Sequence, residues 1–317
     1  MSDNGCIDVH QHLTPSRYQK ALEGIGIKGS GERLFPDSSA ATLLAEMERS
    51  GLAGAVVSVA SPGAYFGDIA FTRTLVRDVN DDLAKIVSDN PRRFGAVGLV
   101  SLPDVDSALR DVEYALDTLK LDGILLLTHV GGRYLGHVDY EPLYAELDRR
   151  KAIVIVHPVR PEATGWADFS FPTGFTELAF ETTRAIGNLH WNGMFHKFPH
   201  IRWLMPHAGG VTPFLAFRFN GMDDLPQVKE CAPEGIATYF KRMYFDVAQA
   251  THPAPLSALM AIADPDKVMF GSDFPFARNL GVVDQSLQGV ASFDGFDPAL
   301  RRKVERDNAL KLFPRFS

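Results

Sequence analysis

Ile153-Val154-Ile155-Val156-His157 is an unbroken apolar run that ends in a histidine. A strand covered on both faces reads this way, apolar throughout instead of alternating. Similar runs recur at Cys6–Val9, Ala53–Val59, Phe94–Val100, Gly123–Leu127, Ile201–Met205, Met243–Val247 and Lys267–Phe270. Helical patterns fill the gaps. Ser39 to Ser50 sets Leu43, Leu44 and Met47 on one face, with Gly51 as a stop. Phe71, Leu75, Val79 and Leu83 recur every four residues, and Val105, Leu109, Val112, Leu116 and Leu119 make a second stripe. Leu143 and Leu147 mark a shorter helix, and residues 176–198, 253–263 and 298–313 also read as helical. Eight strands alternating with helices predict an α/β fold, a (β/α)8 barrel, with residues 1–317 as a single domain. A doubly wound open sheet is the alternative, but no G-x-G-x-x-G follows a strand to support it.

A barrel of this kind builds its site from the loops at the C-terminal ends of its strands. Two long irregular stretches fall there, residues 13–38 and 158–175. The second carries Trp166, Phe169, Phe171 and Phe175. Trp166 is a candidate wall against a substrate, and a merely packed loop accounts for these aromatics equally well.

Composition narrows the partners. Of 317 residues, 45% are hydrophobic and 22% charged, which excludes a disordered or fibrous chain. Thirty-two basic against thirty-nine acidic residues give a net charge of -7. That balance argues against nucleic acid, which needs a basic face. No apolar run reaches the ~18 residues of a membrane helix, and the first residues lack the pattern of a signal peptide. Two cysteines, Cys6 and Cys231, are too few for a disulfide scaffold. A cytoplasmic setting is expected, with no membrane partner.

Ten histidines remain to be explained. The first strand runs on into His10-Gln11-His12. In an extended segment residues two apart point the same way, so His10 and His12 make a half-site for a divalent metal. His157 ends the fifth strand. The sixth ends in Pro206-His207-Ala208-Gly209-Gly210, and the eighth in Gly271-Ser272-Asp273-Phe274-Pro275. One such histidine would be an ordinary core residue. Four histidines and an aspartate at four strand ends point to a metal site. Three imidazoles and a carboxylate would hold one ion with a position open, leaving one histidine for acid–base work.

Taken together these motifs resemble the amidohydrolase superfamily, and within it the branch of α-amino-β-carboxymuconate-ε-semialdehyde decarboxylase. The resemblance runs from Ile7-Asp8-Val9-His10-Gln11-His12 to Asn308-Ala309. Residues 125–136 and 144–157 also resemble the 6-methylsalicylate decarboxylase subgroup. The resemblance implies a distorted (β/α)8 TIM barrel with its active site on the C-terminal face. It implies His10, His12, His157 and Asp273 as ligands of one divalent ion, and His207 beside the metal-bound water. Binuclear relatives carry a carboxylated lysine at the end of the fourth strand. Here that strand runs Gly123-Ile124-Leu125-Leu126-Leu127-Thr128-His129, so a mononuclear site is expected. Relatives with glutamate in place of the first histidine lean to manganese. Both histidines are kept here, which favours zinc, with manganese second and no organic cofactor. Arg218 corresponds to an arginine that crosses a dimer interface to hold a substrate carboxylate, a task suited to a guanidinium fork; a surface ion pair is the other reading. Phe276 is a further candidate substrate contact. A homodimer or higher homo-oligomer follows from the same resemblance.

The expected reaction is non-oxidative decarboxylation of a small carboxylic acid, hydroxybenzoate-like or muconate-like. Protonating the ring carbon before CO2 leaves avoids a free carbanion. His207 and Asp273 are the catalytic candidates, and the sequence leaves open which delivers the proton. A metal-dependent hydrolase or hydratase acting on a lactone, amide or unsaturated acid is the alternative. A metal-dependent binding protein is a third reading.

Overall fold

The computed structural model describes residues 5–30, 33–59, 61–161, 171–276 and 281–317. All eight expected strands form, and they occur in chain order around one parallel sheet: β1 (Ile7–His12), β2 (Gly54–Ser58), β3 (Phe94–Gly98), β4 (Gly123–Leu127), β5 (Ile153–His157), β6 (Arg202–Met205), β7 (Tyr244–Asp246) and β8 (Val268–Met269). Strands β1 to β8 each pair in parallel with the next. Beyond the end of β8, Phe270, Asp273 and Phe274 close the ring against β1. Val9 N–H donates to Phe270 O at 3.0 Å, Asp273 N–H to His10 O at 2.9 Å, and His12 N–H to Phe274 O at 2.8 Å. The result is a TIM barrel whose strands are buried on both faces, as their unbroken apolar runs require.

β1 begins one residue later than its apolar run and extends through His12, with a register shift between Asp8 and Gln11. The histidine pair therefore belongs to the strand itself. The helix Ala40–Ser50 follows its sequence signals closely. Ser39 caps it by accepting the Thr42 N–H, and Gly51 ends it at φ 76 with its N–H on Met47 O.

Three expectations change. The stretch 13–38 is not wholly irregular: Ser16–Gly24 is a helix that buries Tyr18 and Leu22 on one side, too short for a clear periodic signal. The helical stretch expected over 176–198 divides into Glu177–Trp191 and Met194–Lys197. The break is at Gly193, φ 68, where a Cβ would meet Cys231 O at 2.4 Å. The C-terminal helical stretch carries a π-turn over Lys303–Asp307 between Pro298–Arg302 and Asn308–Leu312. Among the described residues no helix is long and apolar enough to cross a membrane.

Candidate metal centre

Three strand ends, those of β1, β5 and β8, converge on one point. The Nε2 atoms of His10 and His12 lie 3.0 Å apart. Asp273 Oδ1, from the loop after β8, is 2.9 Å from His12 Nε2 and 3.4 Å from His10 Nε2. The His157 ring, at the end of β5, stands 4.8 Å from that of His12 and 5.3 Å from that of His10. One donor atom from each of these four residues lies within 4.8 Å of the others, and all four are buried.

Each imidazole is fixed through its other nitrogen. His10 Nδ1 meets Asp246 Oδ2 at 3.0 Å, His12 Nδ1 meets Ser58 Oγ at 3.1 Å, and His157 Nδ1 donates to Pro158 O at 2.8 Å. With Nδ1 donating, each Nε2 turns a lone pair toward the centre. Two lone pairs at 3.0 Å repel one another. His157 Nε2 is buried with no hydrogen-bond partner among the described residues. A cation removes both penalties at once.

The charges agree. Burial opposes ionisation of Asp273, but the imidazoles of His10, His12 and His207 gathered around it hold its carboxyl well below the usual range. Burial likewise disfavours a charged His10, yet the Asp246 and Asp273 carboxylates push its pKa up to about 10. Burial lowers His12 and lowers His157 further. The two carboxylates beside His10 thus favour positive charge at the centre of the ring. Three imidazoles and one carboxylate, oriented and partly orphaned, fit one divalent ion.

His207 stands just outside this ring. Its Nε2 is 3.7 Å from Asp273 Oδ2, and its backbone N–H donates to Asp246 Oδ1 at 3.0 Å. Both His207 and Asp273 have left-handed backbones, φ 54 and 63. The glycines after His207 have a steric cause: a Cβ on Gly210, φ 67, would meet Ala179 O at 2.1 Å.

His157, His207 and Asp273 face a cavity of about 310 Å³ with a mainly apolar lining. Phe175, Leu178, Ala250 and Pro255 form its walls, and Arg160, Gln249, Ser30 and Ser61 supply polar groups. Phe276 lines it too, its ring 5.2 Å from that of His12. Trp166 lies outside the described residues. Arg218 does not line the cavity; it is exposed on the helix Thr212–Asn220. His129 sits at the barrel rim, 3.1 Å from Arg160 O and 3.4 Å from Glu181 Oε2, beside a separate cavity of about 170 Å³.

Asp246, Ser58, Arg160 and Gln249 are the residues at this site that strand-end reasoning passes over. Asp246 had a signal, a carboxylate closing the otherwise apolar Met243-Tyr244-Phe245 run. It is fully buried and holds both His10 and the His207 backbone. Asp246→Asn keeps the shape and removes the charge behind His10. Its expected effect is a roughly 10–100-fold weaker metal affinity with the fold intact, read by competition against a chelator. Unchanged affinity would reduce Asp246 to a packing residue.

The sequence model of the Amidohydrolase family matches residues 7–315. A 6-methylsalicylic acid decarboxylase of Penicillium expansum is 32% identical over 319 residues, covering 98% of this chain and 96% of its own. A 6-methylsalicylic acid decarboxylase of Aspergillus aculeatus is 33% identical over 326 residues, covering 98% and 96%. Among solved structures, a 5-carboxyvanillate decarboxylase of Novosphingobium aromaticivorans, with bound manganese and a nitrobenzoic acid, superposes with a TM-score of 0.85 over 98% of this chain and 97% of that one. Its 20% identity makes this a likeness of fold. A sequence match over nearly the whole barrel, strand-end histidines included, means that this chain belongs to the amidohydrolase family.

Proposed function

We propose that this chain removes CO2 from a small aromatic acid, a hydroxybenzoate, by a metal-dependent, non-oxidative route. One observation carries the reading: the oriented three-histidine, one-aspartate ring opens through His157 and Asp273 onto a largely apolar cavity that His207 also lines. The 6-methylsalicylic acid decarboxylases among its relatives support the reaction and the substrate class.

His10, His12, His157 and Asp273 would hold the ion. A divalent ion bound there would supply positive charge to an anionic substrate. The donor set favours zinc over harder ions, with manganese as the comparison. The chain's own groups do the rest. Asp273 Oδ2 and His207 Nε2 lie side by side on the cavity floor and handle the proton that adds to the ring carbon. The electron pair of the bond to CO2 then returns to the ring, which regains its aromatic character. Phe276 and the apolar walls keep water from the ring, and Arg160 brings a further positive charge to the cavity.

The assay is CO2 release from a panel of hydroxybenzoic acids, with protein carrying one equivalent of zinc or manganese. Release from an ortho-hydroxy acid, lost on chelation, is the expected result. A product with added water would instead favour the hydrolase or hydratase reading.

The reading takes residues 1–317 as one domain and the working form as a homodimer or higher homo-oligomer. Phe214 and Phe217 are 85% and 88% exposed on the helix that carries Arg218. Apolar surface of this kind is suited to a second copy, with Arg218 reaching toward a substrate carboxylate. The double variant Phe214→Ser and Phe217→Ser should sediment as a monomer. If Arg218 acts across the interface, kcat/KM falls with it; a variant that stays associated removes this face from the assembly. Both cysteines are free thiols, which agrees with a reducing, cytoplasmic setting.

A further inference from the structure

Three side chains enter the cavity from left-handed backbone: His207 after β6, Gln249 after β7 and Asp273 after β8, with φ of 54, 52 and 63. Histidine and aspartate are among the residue types that tolerate this region; glutamine is not. Unfavourable backbone persists where its surroundings enforce it, and it gathers at functional sites. Gln249 shares this property with the two proton-handling groups.

Its contact gives the property a purpose. Gln249 Nε2 donates to Oδ2 of Asp273. The carboxylate is thereby divided between two tasks. Oδ1 faces the Nε2 atoms of His12 and His10, at 2.9 and 3.4 Å. Oδ2 faces the cavity, with Gln249 on it and His207 Nε2 at 3.7 Å. A carboxylate can hold a cation with one oxygen or with two. A donor on Oδ2 opposes the second mode. An amide does this without a charge of its own, so it neither neutralises Asp273 nor repels it.

We infer that Gln249 is a positioning residue: it keeps Oδ2 of Asp273 in the cavity beside His207 and away from the ion-binding centre. The consequence for turnover rests on the decarboxylase reading; the position of Oδ2 does not. Gln249 reaches in from the exposed rim and is not part of the packed core, so losing its side chain opens no interior void.

Two variants test this. Gln249→Met keeps the length and removes the donor. Gln249→Gly removes the donor and also relieves the left-handed backbone. Each is loaded with one equivalent of cobalt(II), whose visible absorption weakens as its coordination number rises. Both variants are expected to bind cobalt fully and to show weakened, shifted bands, because Oδ2 is free to join Oδ1. Gln249→Gly should melt at or above the wild-type temperature. With an active acid in hand, kcat falls at least about tenfold while KM stays within about twofold. Wild-type cobalt bands in both variants overturn the inference, and so does an undiminished kcat in Gln249→Met. If the wild-type protein decarboxylates no acid, the decarboxylase reading fails while the cobalt comparison still decides the role of Gln249.

Discussion

His207→Asn and His207→Ala proteins should keep close to one equivalent of metal and release CO2 about 10²–10⁴-fold more slowly than wild type. The two halves of this expectation come from different contacts. His207 contributes no atom to the ring formed by His10, His12, His157 and Asp273. Its Nε2 lies 3.7 Å from the outer oxygen of Asp273, on the cavity side. Removing the imidazole would therefore leave the four-residue ring in place and take away the group proposed to hold or move a proton next to the substrate ring. Asparagine is the cleaner variant. His207 has φ 54, and asparagine adopts that region readily whereas alanine is strained there. Agreement between the two variants excludes backbone distortion as the cause. Metal content is read by elemental analysis and turnover by CO2 release. Retained turnover in both would remove His207 from the mechanism.

The barrel was legible because each strand is buried on both faces. Ile153–Val156 and Gly123–Leu127 can be read as strands without any knowledge of their neighbours. The gathering of His10, His12, His157 and Asp273 was legible for a related reason: in a barrel, strand ends are already brought together, so position in the chain stands in for position in space. The partners that orient those side chains were not. Ser58 reaches His12 across 46 positions and Asp246 reaches His10 across 236. Such pairs depend on which strands become neighbours and on the direction of each side chain. Gln249 was invisible for the same reason, since neither its left-handed backbone nor its bond to Asp273 leaves a mark in Val247-Ala248-Gln249-Ala250. The break at Gly193 needed the position of Cys231, a contact between distant segments.

Asp273→Asn should lose metal and turnover together, the opposite of the His207 result. Asp273 is the only acidic member of the four-residue ring among the described residues. Its Oδ1 sits against both β1 histidines, and the site around it is buried. At such depth a dication is stabilised by a carboxylate far more than it would be in water. Asparagine keeps the shape and tolerates φ 63, but it brings a neutral oxygen or an amide N–H where a negative oxygen stood. The affinity loss should exceed the roughly 10–100-fold expected for Asp246→Asn, because Asp273 would touch the ion and Asp246 only its ligand. Excess metal in the assay then separates the two tasks of this carboxylate. Oδ1 is lost as a ligand and Oδ2 as the neighbour of His207, so saturating metal restores occupancy before it restores CO2 release. A variant with full occupancy at one equivalent of metal would exclude Asp273 as a ligand. A variant fully active under saturating metal would confine Asp273 to binding and leave the proton to His207.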